Sequence, residues 1–355
     1  MSRNKTALDR AALLQRVGSL GQLGGTRHYT LNDGRCKGVS AIDFDTGAGF
    51  RFTALPDRGL DLSLASYRGT NLVYLAPAGE VSAAFFEPGG LGWLRTFFAG
   101  LLTTCGPSNI GAPCVDGDAA LGLHGRFNVT PATRVRDTSG WHGDDYVLEV
   151  TGEVEDSVLF GDKIRVTRTI STRLGARSLR IEDKVENVGY RTSPFAILYH
   201  INAGYPLLDA GAELMVGASS CQPLNDHAAA AEKDRLRFTE PADGFQEMNY
   251  LYTMEAAADG FAHAAFINHS LDGGLGLHIK SDPRELPYLN EWKMLGLGEY
   301  VVGVEPCNSP CAPRSTVREQ GLLPFLEPGE ARTIHVEIGV LDGPEEIEKF
   351  ESLLA

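Results

Sequence analysis

From Thr6 to Val17 the apolar residues Leu8, Ala11 and Leu14 fall at helical intervals before Gly18. Thr6 and Asp9 ahead of them stand in capping-box spacing, with Asp in place of Glu, so the run predicts a short leading helix. The period then changes. Apolar runs of four to eight residues punctuated by Gly, Asp, Asn and Pro, as in AIDFDTGAGFRFTALPDRG, are the pattern of strands joined by turns. Residues 163–171 alternate Ile164 and Val166 with Lys163, Arg165 and Thr167, and residues 331–341 alternate Ile334, Val336 and Ile338 with Thr333, His335 and Glu337. Both predict half-buried antiparallel strands. The polar strand SLRIEDKVENVG is followed by SPFAILYHINAGYPLL, whose near-continuous apolar character predicts a strand covered on both faces and central in its sheet. A closing helix is expected over Pro344 to Leu354, with Pro344 in the first turn, Glu345 and Glu346 at the positive end, and Ile347, Phe350 and Leu354 facing inward.

No repeat of 20 to 50 residues, Ser-rich linker or composition break divides the chain. The expected organisation is an N-terminal helical extension over 1–24, a single β-sandwich domain over 25–342 and a C-terminal helix over 343–355. The fold class is all-β, a large two-sheet antiparallel β-sandwich with short terminal helices. With 355 residues, 43% of them hydrophobic, there is material for a large core. Lys and Arg number 32 against 46 Asp and Glu, a net charge of −14 that repels a phosphate backbone and argues against nucleic acid as a partner. No window approaches the roughly 18 consecutive apolar residues of a membrane helix, and the N-terminus lacks a signal-peptide core, so a cytoplasmic protein that does not span a membrane is expected. The six cysteines, Cys36, Cys105, Cys114, Cys221, Cys307 and Cys311, are far apart in a long chain and are expected to be free thiols.

Two strands carry candidate chemistry. His200 sits in the apolar LYHINA segment on the same face as Ala196, Leu198 and Asn202, either as a core imidazole satisfied by a carbonyl or as a catalytic group. Glu305 ends YVVGVE directly before Pro306, on the face of Val301 and Gly303, either as a reactive carboxylate or as an edge residue turning into solvent. His124 follows a Gly-rich stretch that would let backbone approach a ligand, or is a surface loop residue. Trp292, flanked by Glu291 and Lys293, could stack on a sugar face or pack in the core. Arg58, Arg95 and Arg126 could hold hydroxyls or an anionic group, or pair with nearby acids. Cys307 and Cys311 have no second pair to complete a zinc site, residues 115–118 lack the later ligands of a calcium loop, and no GxSxG, P-loop or complete GxGxxG occurs.

LHG at Leu123 to Gly125, YHIN at Tyr199 to Asn202, EPCNSP at Glu305 to Pro310 and LEPGE at Leu326 to Glu330, in this order and spacing, resemble the aldose 1-epimerase (galactose mutarotase-like) superfamily. PDRGLDL, GLHGRFNVTPA, LYHINAGYPLL and NEWKMLGLGEYVVGVEPCN are similar to its aldose 1-epimerase-like branch, and the resemblance spans roughly Leu31 to Leu341. It implies a galactose mutarotase-like supersandwich with the sugar across one concave sheet, His200 as acid, Glu305 as base and His124 holding the sugar. Arg58, Asn202, Trp292 and Asn308 would complete the lining. Where the better-known galactose enzymes have Tyr two residues after the acid, this chain has Asn202, and LLTTCGPSNIG lacks the Arg of their Gly-rich segment. Interconverting anomers needs a proton given to the ring oxygen while another leaves the anomeric hydroxyl, which two opposed groups accomplish without cofactor or metal. The expected function is a mutarotase acting on a small-molecule sugar, its oligomeric state left open. The rivals are a non-catalytic carbohydrate-binding or regulatory protein on the same fold, and an epimerase for a phosphorylated or acidic sugar held by Arg58, Arg95 and Arg126.

Overall fold

A computed structural model of the protein describes residues 10–354. Its principal layers are two antiparallel sheets. The nine-stranded sheet is built around the long strands Asp145–Ser157, Lys163–Arg173, Ser178–Asn187 and Ala331–Asp342. The six-stranded sheet runs in the order Ala218–Pro223, Met248–Met254, Tyr288–Gly296, Glu299–Cys307, Leu198–Gly204 and Thr103–Cys105. The alternation read from the sequence is what packs them: Ile164, Val166 and Ile170 from one sheet share a core with Tyr199, Ile201 and Val304 from the other. A five-stranded sheet from Gly25–Thr30 to Thr70–Asn71 joins the same core through Phe44, Phe52 and Leu62. Its strands Ser40–Asp45 and Phe50–Leu55 are those expected in AIDFDTGAGFRFTALPDRG, whereas a third sheet was not expected.

All seven residues of Leu198–Gly204 are buried, as the apolar run predicted. The strand is not central, however. Only the three-residue strand Thr103–Cys105 lies beyond it, and its outer face is covered instead by side chains such as Phe97, whose ring is 5.3 Å from that of His200. The closing helix Pro344–Leu354 docks Ile347 and Phe350 on Ala265 and Ile267. The leading helix is described over Arg10–Leu14 and ends three residues before Val17, and none of these residues is buried. Thr6 and Asp9 lie outside the described residues. Among the described residues no helix is long and apolar enough to cross a membrane, and all six cysteines are free.

Candidate active site

Alternation along Leu198–Gly204 sends Tyr199 into the sandwich and His200 to the outer face of the six-stranded sheet. The register Leu198↔Cys307 and Ile201↔Val304 sets His200 opposite Glu305 on the neighbouring strand, and Asn290 is paired with Glu305 from the other side. The three side chains form the floor of a cavity of about 400 Å³ walled by Trp93, Phe97, His124, Asn249 and Trp292. A larger hollow of about 590 Å³ lies over the five-stranded sheet. Its carboxylates are engaged within the hollow, Asp45 by Arg51 and Asp43 by Tyr29 and Thr53, so the smaller cavity is the better candidate.

His200 Nε2 lies 3.2 Å from Glu305 Oε1, yet the pair is not aligned as a hydrogen bond, and both His200 Nδ1 and Glu305 Oε1 lack a partner. Unpaired polar atoms at such depth are costly unless a ligand uses them. Glu305 Oε2 accepts a hydrogen bond from Asn290 Nδ2 at 2.7 Å. Burial pushes the Glu305 carboxyl up to about 8, opposed by Asn290 and reinforced by Glu291 and Glu247. Burial, with His124 nearby, holds the His200 imidazole well below its ordinary range. At neutral pH the pair therefore carries one transferable proton, held on Glu305, and an imidazole free to accept one.

His124 stands in left-handed backbone at φ 56° and points Nδ1 at the Ile110 carbonyl, 2.8 Å away. A carbonyl only accepts, so Nδ1 carries the hydrogen and Nε2 is left as an acceptor. Burial lowers this imidazole to about 4, against the pull of the Ile110 carbonyl, and keeps it neutral. The glycines around it serve backbone packing rather than a ligand: a Cβ on Gly125 would meet the Gly106 and Asn109 carbonyl oxygens at 2.7 and 2.8 Å.

Four of the residues singled out in the sequence, His124, His200, Trp292 and Glu305, line this cavity. Three do not. Arg58 is fully buried, its guanidinium spent on the carbonyls of Asn128, Val81 and Thr96. Asn202 is closed off beside His200, donating to the carbonyls of Gly100 and His200. Asn308 clamps the chain before the His200 strand, accepting from Ile197 N and donating to Phe195 O. Nor do the arginines converge: Arg95 is exposed beside Glu87, and Arg126 lies over the Phe86 ring. Trp292 does reach the cavity and donates Nε1–H to Glu247, but its neighbours are not exposed as expected. Glu291 and Lys293 point inward, where Glu291 accepts from Tyr252 and Lys293 Nζ binds three backbone carbonyls. Asn290 and Gly303 were not singled out as site residues. Strand alternation puts Asn290 on the face of Trp292, and Gly303 on the face of Glu305.

A comparison with curated protein sequences gives no match. A family model described as "Domain of unknown function (DUF4432)" matches residues 36–340. Among solved structures, a Klebsiella pneumoniae subsp. pneumoniae MGH 78578 protein assigned provisionally as an aldose 1-epimerase is similar at TM-score 0.87 and 25% identity, over 95% of this chain and 91% of that one. A galactose mutarotase-like protein from Clostridium acetobutylicum aligns at TM-score 0.66 and 13% identity, over 90% and 99%. The galactose 1-epimerase of Lactobacillus acidophilus NCFM aligns at TM-score 0.58 and 13% identity, over 90% and 100%. The last two speak for the fold alone.

Proposed function

The chain belongs to the DUF4432 family and has the galactose mutarotase-like sandwich fold, and from that premise we propose that it is a mutarotase that interconverts sugar anomers. One observation carries this reading: a buried imidazole and a buried carboxyl, 3.2 Å apart at the floor of a cavity, each with an unpaired polar atom. The Klebsiella protein's provisional assignment supports the same chemistry.

Ring opening needs a proton on the ring oxygen and removal of the proton on the C1 hydroxyl; rotation about C1–C2 and closure then give the other anomer. The resemblance gives the acid role to His200 and the base role to Glu305. The burial of both groups favours the opposite resting state, with the proton on Glu305. Over a complete interconversion each group donates once and accepts once, so one proton shared between the two suffices. His124 Nε2 is disposed to accept a sugar hydroxyl and Trp292 to pack on a ring face.

The reading is tested by exchange NMR at anomeric equilibrium across a panel of aldoses; no acceleration with any of them would dispose of it. The pH profile is expected to be a bell. On the acid side, well below 6.5, His200 takes up a proton and no acceptor remains. On the alkaline side, at about 8, Glu305 loses its proton and no donor remains. A profile that stays flat from pH 7 to pH 9 would detach Glu305 from the chemistry.

Gly303 is the position that gives the pair room. A Cβ there would meet Glu305 Oε1 at 2.1 Å and His200 Cε1 at 3.0 Å. Gly303→Ala is expected to destabilise the protein by about 1–3 kcal/mol and, by displacing the pair, to slow exchange about a hundredfold. Wild-type exchange in a folded Gly303→Ala protein would show that the spacing of the pair does not matter.

A further inference from the structure

The floor of the cavity is polar, with His200, Asn290 and Glu305, and Leu91, Leu94, Leu123 and Leu224 belong to the rest of its lining together with Asn225, Glu247 and Asn249. The leucines stand at the mouth: Leu91 is 60% exposed, Leu94 51% and Leu224 37%, against 4% for His200 and 1% for Glu305 on the floor. No Lys or Arg lines the cavity among the described residues, and its acidic side chains are Glu247 and Glu305. The nearby arginines are committed elsewhere, Arg58 to three carbonyls and Arg95 to Glu87.

A sugar whose C1 and ring oxygen sit at the His200–Glu305 floor turns its remaining ring carbons toward this mouth. A hydroxyl set against the leucine methyl groups exchanges water for apolar surface and gains no hydrogen bond from them. A hydrogen in its place loses nothing and covers exposed apolar surface. A phosphate or carboxylate fares worst, since it meets acidic side chains and no compensating cation.

We propose, resting on the mutarotase reading, that the pocket takes neutral sugars with an oxygen-poor edge, that is deoxy sugars, and turns away phosphorylated and carboxylated ones. The selectivity resides in Leu91, Leu94 and Leu224, which touch the part of the sugar that does not react. Leu94 is the residue to alter, because its exposure lets a charged side chain replace it without disturbing the core.

The test is a matched panel in gluco, galacto and manno configurations: each hexose with its 3-, 4- and 6-deoxy analogues, its 6-phosphate and its uronate. Anomer exchange is followed by two-dimensional NMR and affinity by quenching of the protein's tryptophan fluorescence. In at least one configuration a deoxy analogue is expected to exceed its parent about tenfold in kcat/KM and in affinity. The phosphate and uronate are expected to fall on the order of a hundredfold below it. Leu94→Arg is expected to remove the deoxy preference and to strengthen uronate binding. A phosphate or uronate that performs as well as the deoxy sugars, or a parent hexose that matches every deoxy analogue, overturns the proposal. Preferential binding of a deoxy sugar without faster exchange keeps the ligand class and overturns the mutarotase reading. Failure of every sugar to bind overturns both.

Discussion

Glu305→Gln is expected to slow anomer exchange by about 10²- to 10⁴-fold while leaving the protein folded. Glutamine has the same shape and can still accept the Asn290 Nδ2 hydrogen bond that reaches Glu305 Oε2 at 2.7 Å, so the floor of the cavity keeps its geometry. What it loses is the exchangeable proton. The sign of the stability change separates this chemical role from a structural one. The folded protein holds this carboxyl protonated up to about 8, while the unfolded chain ionises it at 4.5. Between those values the folded state binds the extra proton, so this group lowers stability as pH rises, by about 1.4 kcal/mol per unit. Below pH 4.5 both states are protonated and the effect vanishes. The glutamine variant has no proton to lose and escapes this penalty. Thermal unfolding should therefore show the variant at least as stable as the wild type, with a margin that widens from pH 5 to pH 8. A variant that keeps more than a tenth of the wild-type exchange rate removes Glu305 from the proton transfer.

The parts of this site that obey a strand's period of two were legible in the sequence. His200 follows from alternation in an apolar strand, and Glu305 from its place on the face of Val301 and Gly303, although Pro306 suggested a strand end. In fact Glu299–Cys307 runs on through the proline, which keeps the carboxyl buried rather than turned into solvent. The rest of the cavity comes from segments without a period. Trp93, Leu94 and Phe97 project from a short 3-10 turn, Gly92–Arg95, and its exit, and Leu224 from the stretch after Ala218–Pro223. Arg58, Asn202 and Asn308 were misplaced for a related reason. Their polar ends invite a ligand, but each has found backbone carbonyls or amides that the fold leaves to be satisfied, a competition that sequence spacing does not reveal.

One irregularity in the alternation did foreshadow a buried charge. In Lys163–Arg173 the inward row runs Ile164, Val166, Arg168, Ile170, so an arginine occupies a core position. It reaches Asp61 Oδ1 and Asp183 Oδ2, each at 2.7 Å, and Thr104 Oγ1 at 2.9 Å, tying together side chains from all three large sheets. Tyr199, which precedes His200, donates its hydroxyl hydrogen to the same Asp183 at 2.8 Å. Arg168→Met is expected to destabilise the protein by about 3–5 kcal/mol, because two carboxylates are left buried without their cation. Burial already pushes Asp61 up to about 6, against the opposing pull of Arg168 and Thr104, and removing the guanidinium raises it further. Carboxyls with raised folded-state pKa values lower stability as pH climbs above the unfolded value of 3.8, and the variant loses more over that range than the wild type. Urea unfolding should accordingly find a deficit that is smaller at pH 5 than at pH 8. Neutralising the stranded acids, as in Arg168→Met combined with Asp61→Asn and Asp183→Asn, should recover part of it. A deficit that is the same at both pH values would instead trace the loss to packing, since Arg168 also lies over the Phe127 ring at 4.7 Å, and would leave the buried charges with no part in anchoring the strand that carries His200.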